Sequence, residues 1–284
     1  MFRNLPYLRI VRTKDIFLTT FLFLLDFSLN KHLEQAHSSH FPFQFELFGQ
    51  FYHWHYIFET LAFIVGVRVY YFLKKGINDP ISDENRLWIM LGAMLGALIG
   101  SRVVAILETP EVLKNLTFLM LYQSKTIVGG LLGGLFGVEL IKKIIGVKIA
   151  SGDIYIIPIL VALFIGRIGC FSMGIDEPTY GIETTFFMGM DLGDGKLRHP
   201  IMLYEMMFLV GLFLLFQGIK NKHLINGDRF KLFMVLYFLF RFLIEFIKPY
   251  HPLCLNLSSI HWSAIFIFLY YFKFLIRITR VTFS

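Results

Sequence analysis

The stretch SGDIYIIPILVALFIGRIGCFSM, residues 151–173, decides the fold class. It is an apolar run of about 20 residues, long enough to cross a bilayer as a helix, and an arginine, Arg167, stands between two glycines near its end. Six other runs of similar length and polarity occur, approximately 50–73, 87–107, 127–146, 201–219, 230–248 and 260–279. A soluble chain of 284 residues can bury a large core without repeating such runs along its length. With 56% hydrophobic and 17% aromatic residues, the composition is that of an integral membrane protein. The expected fold is all-α with about seven transmembrane helices, because only helices and closed barrels satisfy their backbone groups in lipid.

A shorter run, 16–29, carries Asp26 and has a basic flank of Arg3, Arg9, Arg12 and Lys14. It reads as a short anchor or interfacial helix. The flank resembles that of a signal peptide, but no small-x-small cleavage site follows, so the run is expected to be retained. The expected organisation is an N-terminal extension over 1–49 and a single transmembrane domain over 50–284, without internal repeats.

The net charge of +7 does not indicate nucleic acid, because the basic residues lie in short clusters between apolar runs. Their placement reports topology. Lys74, Lys75 and Arg86, then Lys142, Lys143 and Lys148, then Lys220, Lys222, Arg229 and Lys231, and finally Lys273, Arg277 and Arg280 fall in alternate connections. Those are expected to be cytoplasmic. The acidic connection 174–198, with Asp176, Glu177, Glu183, Asp191 and Asp194, then faces outside, as does the N-terminal end of the core, and the C-terminus lies inside. The two cysteines, Cys170 and Cys254, lack metal-type spacing and read as small buried or membrane-edge residues, with a disulfide left open.

Ionisable side chains inside membrane helices are costly, so they face a cavity or one another. In this orientation Arg102, Arg167, Glu205, Arg241 and Glu245 all fall toward the outer ends of their helices, and Glu59 lies about two turns down the first. Arg241 and Glu245 are four residues apart and are expected to share a helix face, where a structural ion pair is one reading. Arg102 could snorkel to the headgroups. Arg167, in GRIG, is expected to present an exposed guanidinium fork at the mouth of the fourth helix, suited to a phosphate oxyanion. The segment RHPIMLYE, residues 198–205, adds Arg198, His199, Tyr204 and Glu205 at the start of the fifth helix. A phospholipid headgroup site fits this combination; buried charge alone also fits an ion or transport pathway. On helix two Gly92, Gly96 and Gly100 recur every four residues, and Gly129, Gly130, Gly133, Gly134 and Gly137 crowd helix three, a pattern that lets helix backbones approach closely.

Five segments in order, GSRVVAIL (100–107), VGGLLGG (128–134), GRIGCF (166–171), HPIMLYE (199–205) and RFLIEF (241–246), resemble the prolipoprotein diacylglyceryl transferase family. The resemblance implies a seven-helix enzyme of the bacterial cytoplasmic (inner) membrane with its active site toward the outer leaflet. It implies transfer of the diacylglyceryl group of phosphatidylglycerol to the lipobox cysteine of a prolipoprotein signal peptide, forming a thioether and releasing glycerol phosphate. Beyond these two substrates and membrane lipids no partner, and no metal or organic cofactor, is implied.

Arg167 matches the arginine of the family's GRxGN motif and is the candidate for holding the phosphate, and Arg241, matching the arginine of the RFxxE motif, is expected to add a second cation with Glu245 orienting it or accepting a proton. Gly169 and Gly181 are expected to shape the lipid-facing turn and His199, Tyr204 and Glu205 to line the outer mouth, with Cys170, Arg102, Glu59 and His55 as further substrate-binding positions. Departures from the family pattern mark a divergent branch. Val128 stands where the family has a histidine suited to thiol activation, Cys170 where it has asparagine, and the turn IDEPTYG is longer than usual. A valine cannot take a proton, so His55 or His199 becomes the expected base, with Glu59 or Glu245 as alternative acceptors. A phospholipid-binding or accessory protein without catalysis, and a transferase with another donor or acceptor, are the competing readings.

Overall fold

The computed structural model describes residues 41–47, 49–77, 79–110, 124–220 and 225–282. The run 16–29, its basic flank and Lys222 lie outside the described residues. A hairpin of β1 (Gln44–Leu47) and β2 (Gln50–His53) leads into α1 (Trp54–Lys74), followed by α2 (Asp83–Glu108), α3 (Ile127–Ile144) and α4 (Ile156–Met173). A short antiparallel pair, β3 (Met190–Asp191) and β4 (Leu197–Arg198), precedes α5 (Ile201–Gly218). Then come α6 (Asp228–Ile244), α7 (Ser259–Tyr270) and α8 (Phe272–Thr282).

Each of the seven apolar runs contains a helix, with three differences from the sequence reading. Residues 50–53 belong to β2 rather than to α1. Helix α6 ends at Ile244, and Glu245–Ile247 tightens into a 3-10 turn. The seventh run is broken at Tyr271, where the axis bends by 64°. By length and composition four helices among the described residues could each cross a membrane, α1, α2, α4 with its flanking turns, and α5, or five if the bent pair is one span.

Lipid, rather than water, is the solvent that the surface requires. Phe63, Ile64 and Phe72 on α1 and Leu95, Leu98 and Ile99 on α2 are exposed, a density of outward apolar side chains far beyond the scattered few of a soluble monomer. The interior lies between α4, α5 and α6, where Leu160, Met202, Met206, Leu209, Phe213, Phe233, Tyr237 and Phe238 are fully enclosed. Helices α2 and α3 pack backbone to backbone. A Cβ at Gly96 would overlap the carbonyl of Gly133, and one at Gly100 the carbonyl of Gly129. With no hydrophobic force between helices in lipid, this close dispersion contact is what holds the pair.

Gly133→Val should therefore destabilise the protein by at least the roughly 1–3 kcal/mol of an overpacked core. Gly134→Ala is the control, because a Cβ there meets Ala93 O at 3.5 Å and Ala97 Cβ at 3.7 Å, ordinary contact distances. Thermal unfolding in one detergent checks this, and equal midpoints for the two variants would refute the glycine seam.

Candidate functional site

The chain between α4 and α5 folds back over the end of α4. Ile175 N–H donates to Leu192 O at 2.9 Å, and Leu192 is fully enclosed. Phe43 N–H donates to Ser172 O at 2.8 Å, so the segment leading into β1 joins the same cover. Ile182 N–H donates to Ile247 O at 3.0 Å, which fastens the loop to the turn after α6. Asp194 accepts from Arg198 at 2.8 Å, and this guanidinium holds the Asp194 carboxyl below its ordinary range.

Beneath this cover lies an ionic cluster built by three helices. Glu205, in the first turns of α5, places Oε2 at 2.8 Å from Arg167 Nη2 of α4 and 3.0 Å from Arg241 Nη1 of α6. Its Oε1 accepts from the Tyr237 hydroxyl at 2.7 Å. Arg167 and Arg241 are each 3% exposed and Glu205 is 0% exposed, so these charges have exchanged water for one another. Buried ions persist only when paired and hydrogen-bonded in this way.

Two expectations are corrected here. Arg167 is not an exposed fork, because α5 brings Glu205 onto it. Glu205 does not line the mouth but stands at the centre. The Arg241–Glu245 pair allowed by the spacing is present at 4.0 Å, with Glu205 nearer to Arg241 at 3.0 Å.

Glu245 also meets Lys248 at 3.4 Å and accepts from Ser258 Oγ at 3.1 Å. Lys248 also reaches Glu108 at 3.3 Å. Ser258 caps α7 together with His261. Tyr237, Lys248 and Ser258 escaped the sequence reading. Tyr237 precedes Arg241 by one helical turn, a usable signal, whereas Ser258 comes from a loop that only the tertiary fold brings in.

His199 and Tyr204 join each other, Nδ1 to hydroxyl at 3.0 Å. Burial lowers the proton affinity of His199 below the ordinary histidine value. Gly181 packs directly on His199 and donates to its carbonyl at 3.1 Å, leaving no room for a side chain. Gly169 has another task. A Cβ there would lie 2.9 Å from Phe58 Cβ and 3.2 Å from His55 O, so its absence lets α1 approach α4. Glu59 forms a separate pair with Lys125 and faces His55 at 3.7 Å. Arg102 donates to Ser101 Oγ at 2.8 Å. Val128 is buried in the core, and both Cys170 and Cys254 are free thiols.

Residues 42–277 match the family model described as prolipoprotein diacylglyceryl transferase. The chain belongs to this family. A phosphatidylglycerol–prolipoprotein diacylglyceryl transferase of Campylobacter lari is 30% identical over 226 residues, covering 72% of this chain and 79% of the relative. The enzyme of that name from Finegoldia magna is 31% identical over 207 residues, covering 71% and 81%. That from Campylobacter hominis is 26% identical over 231 residues, covering 73% and 78%. As a prolipoprotein diacylglyceryl transferase family member, this chain holds its ionic cluster inside the matched region, and so are the helices that build it.

Proposed function

We propose that this chain transfers the diacylglyceryl group of phosphatidylglycerol to the cysteine thiol of a prolipoprotein signal peptide. The carrying observation is that Arg167 and Arg241 converge on one oxygen of Glu205 in a member of this family. In the reaction a thiolate sulfur bonds to the glycerol carbon, the carbon–oxygen bond to phosphate breaks, and glycerol phosphate leaves with the electron pair. The site must therefore stabilise a phosphate as it departs and receive a proton from the thiol.

Arg167 and Arg241 meet Glu205 at 2.8 and 3.0 Å, and Glu245 stands 4.0 Å from Arg241, so two guanidiniums are gathered at one place, an arrangement that suits a phosphodiester anion. Arg167 Nε and Arg241 Nε are both buried with no hydrogen-bond partner among the described residues, so each arginine keeps a donor in reserve. These are the groups assigned to the phosphate. Glu205 holds both forks in place. Glu245, set by Lys248 and Ser258, orients Arg241 or takes a proton, and His199 with Tyr204 lines the entrance.

The finer topology belongs to the same reading. Residues 50–284 form one domain of seven membrane-crossing helices after an N-terminal extension, in the bacterial cytoplasmic membrane. The first enters from outside, the C-terminus is cytoplasmic, and the site opens toward the outer leaflet. The alternating basic clusters support this orientation.

The test is reconstitution of the purified protein with phosphatidylglycerol and a lipobox peptide, read by mass spectrometry. Diacylglyceryl peptide is the expected product. None, under conditions where a Campylobacter relative forms it, would overturn the activity and leave a phospholipid-binding protein.

A further inference from the structure

Three groups from separate segments meet beside Arg167. His55 lies in the first turn of α1, Cys170 in the last turn of α4, and Glu177 in the turn beyond it. The glycine at 169 lets α1 come close enough for this meeting. One ligand atom from each, an imidazole nitrogen, a thiol sulfur and a carboxylate oxygen, lies within 4.8 Å of the other two. A tetrahedral shell with bonds of about 2.0–2.3 Å spaces its ligands at roughly 3.3–3.8 Å, so about 1 Å of side-chain adjustment would close it.

Each group already has an outer partner that would orient it. His55 Nε2 faces Glu59 at 3.7 Å, and its Nδ1 is enclosed with no hydrogen-bond partner among the described residues. Glu177 Oε1 accepts from Thr179 at 3.2 Å. Cys170 Sγ accepts from Arg167 Nη1 at 3.5 Å. A carboxylate behind a histidine and hydrogen bonds behind the anionic ligands are the usual support of a metal shell. Nitrogen, sulfur and oxygen together suit a borderline-soft ion, and a thiolate with a carboxylate neutralises a divalent charge. Arg167 does not oppose this, because Arg167 and Arg241 are together balanced by Glu205 and Glu245.

We propose that His55, Cys170 and Glu177 form a zinc-class divalent metal site whose fourth position takes the acceptor thiol. Three protein ligands with one position open is the pattern of a reactive site rather than a structural one. The role in the reaction rests on the transferase reading; the metal site does not. The acceptor sulfur displaces a metal-bound hydroxide, which takes the thiol proton and leaves as water. The bound thiolate then forms the carbon–sulfur bond as the carbon–oxygen bond to phosphate breaks. This supplies the thiol activation that Val128 cannot, and it departs from the cofactor-free chemistry that the family resemblance implies.

The experiment uses the full chain in a Cys254→Ser background, stripped with chelator and titrated with Zn²⁺ and with Co²⁺. One ion per chain should bind, and Co²⁺ should show a thiolate charge-transfer band that disappears in Cys170→Asn, which restores the family's residue. His55→Ala and Glu177→Gln should weaken binding at least 100-fold, and Glu59→Gln by about 10–100-fold as an outer-shell partner. No stoichiometric ion, or an unchanged cobalt band in Cys170→Asn, would overturn the site. Full transfer by the metal-stripped protein would overturn its role in the reaction. Metal binding without diacylglyceryl peptide would uphold the site while refuting the transferase reading.

Discussion

Glu205→Ala is expected to cost about 3–5 kcal/mol of stability, the range for removing one partner from a buried ion pair, and to lower diacylglyceryl transfer at least 100-fold. One oxygen of this carboxylate meets Arg167 at 2.8 Å and Arg241 at 3.0 Å, and the other accepts from Tyr237. Removing it leaves two fully enclosed guanidiniums facing each other and a buried hydroxyl without its acceptor. Glu205→Gln should fall between the two, because the amide keeps the volume and one acceptor but not the charge. Thermal unfolding in nanodiscs measures the first effect and product formation the second. The double variant Glu205→Ala with Arg167→Ala should be less destabilised than the sum of its parts, since each deletion removes the charge that the other strands. A Glu205→Ala protein with a parent-like midpoint would refute the central place given to this residue.

The helices themselves were legible because apolar length is a property of composition, and all seven runs contain one. The break at Tyr271 was not. FLYYFKFLIRI, residues 268–278, keeps its apolar content through the bend, so run length carries no mark of it. Among the charges, Arg167, Glu205, Arg241 and Glu245 were each identifiable as residues with no business in lipid. Local spacing also gave the pair of Arg241 with Glu245, but not the nearer carboxylate that α5 delivers to Arg241 from 36 residues away. The same limit hid Glu177 beside His55 and Cys170, which meet only once α1 has docked on α4 across Gly169. Local rules place charges on faces; only packing decides which faces meet.

Arg241→Ala is the sharper test of the phosphate assignment. Loss of one preorganised donor to a charge that develops in the transition state typically costs about 10²–10³ in kcat, and that is the expected drop. The fold should tolerate this change better than loss of Glu205, because the Arg167 and Glu205 pair that remains is neutral and still in contact at 2.8 Å. Arg167→Ala should lose as much activity, with Glu205 then held by Arg241 and Tyr237. Arg167→Lys keeps the charge but not the fork, so it cannot hold Glu205 and offer a spare donor together. Its turnover should stay below about a tenth of the parent's, a loss of more than roughly 1.4 kcal/mol in transition-state stabilisation. If the two arginines act as one clamp, the double alanine variant will be little worse than either single one, as for groups that work as a unit. Near-normal transfer by Arg241→Ala, in protein shown to unfold cooperatively, would remove the clamp and leave the cluster a structural lock between α4, α5 and α6.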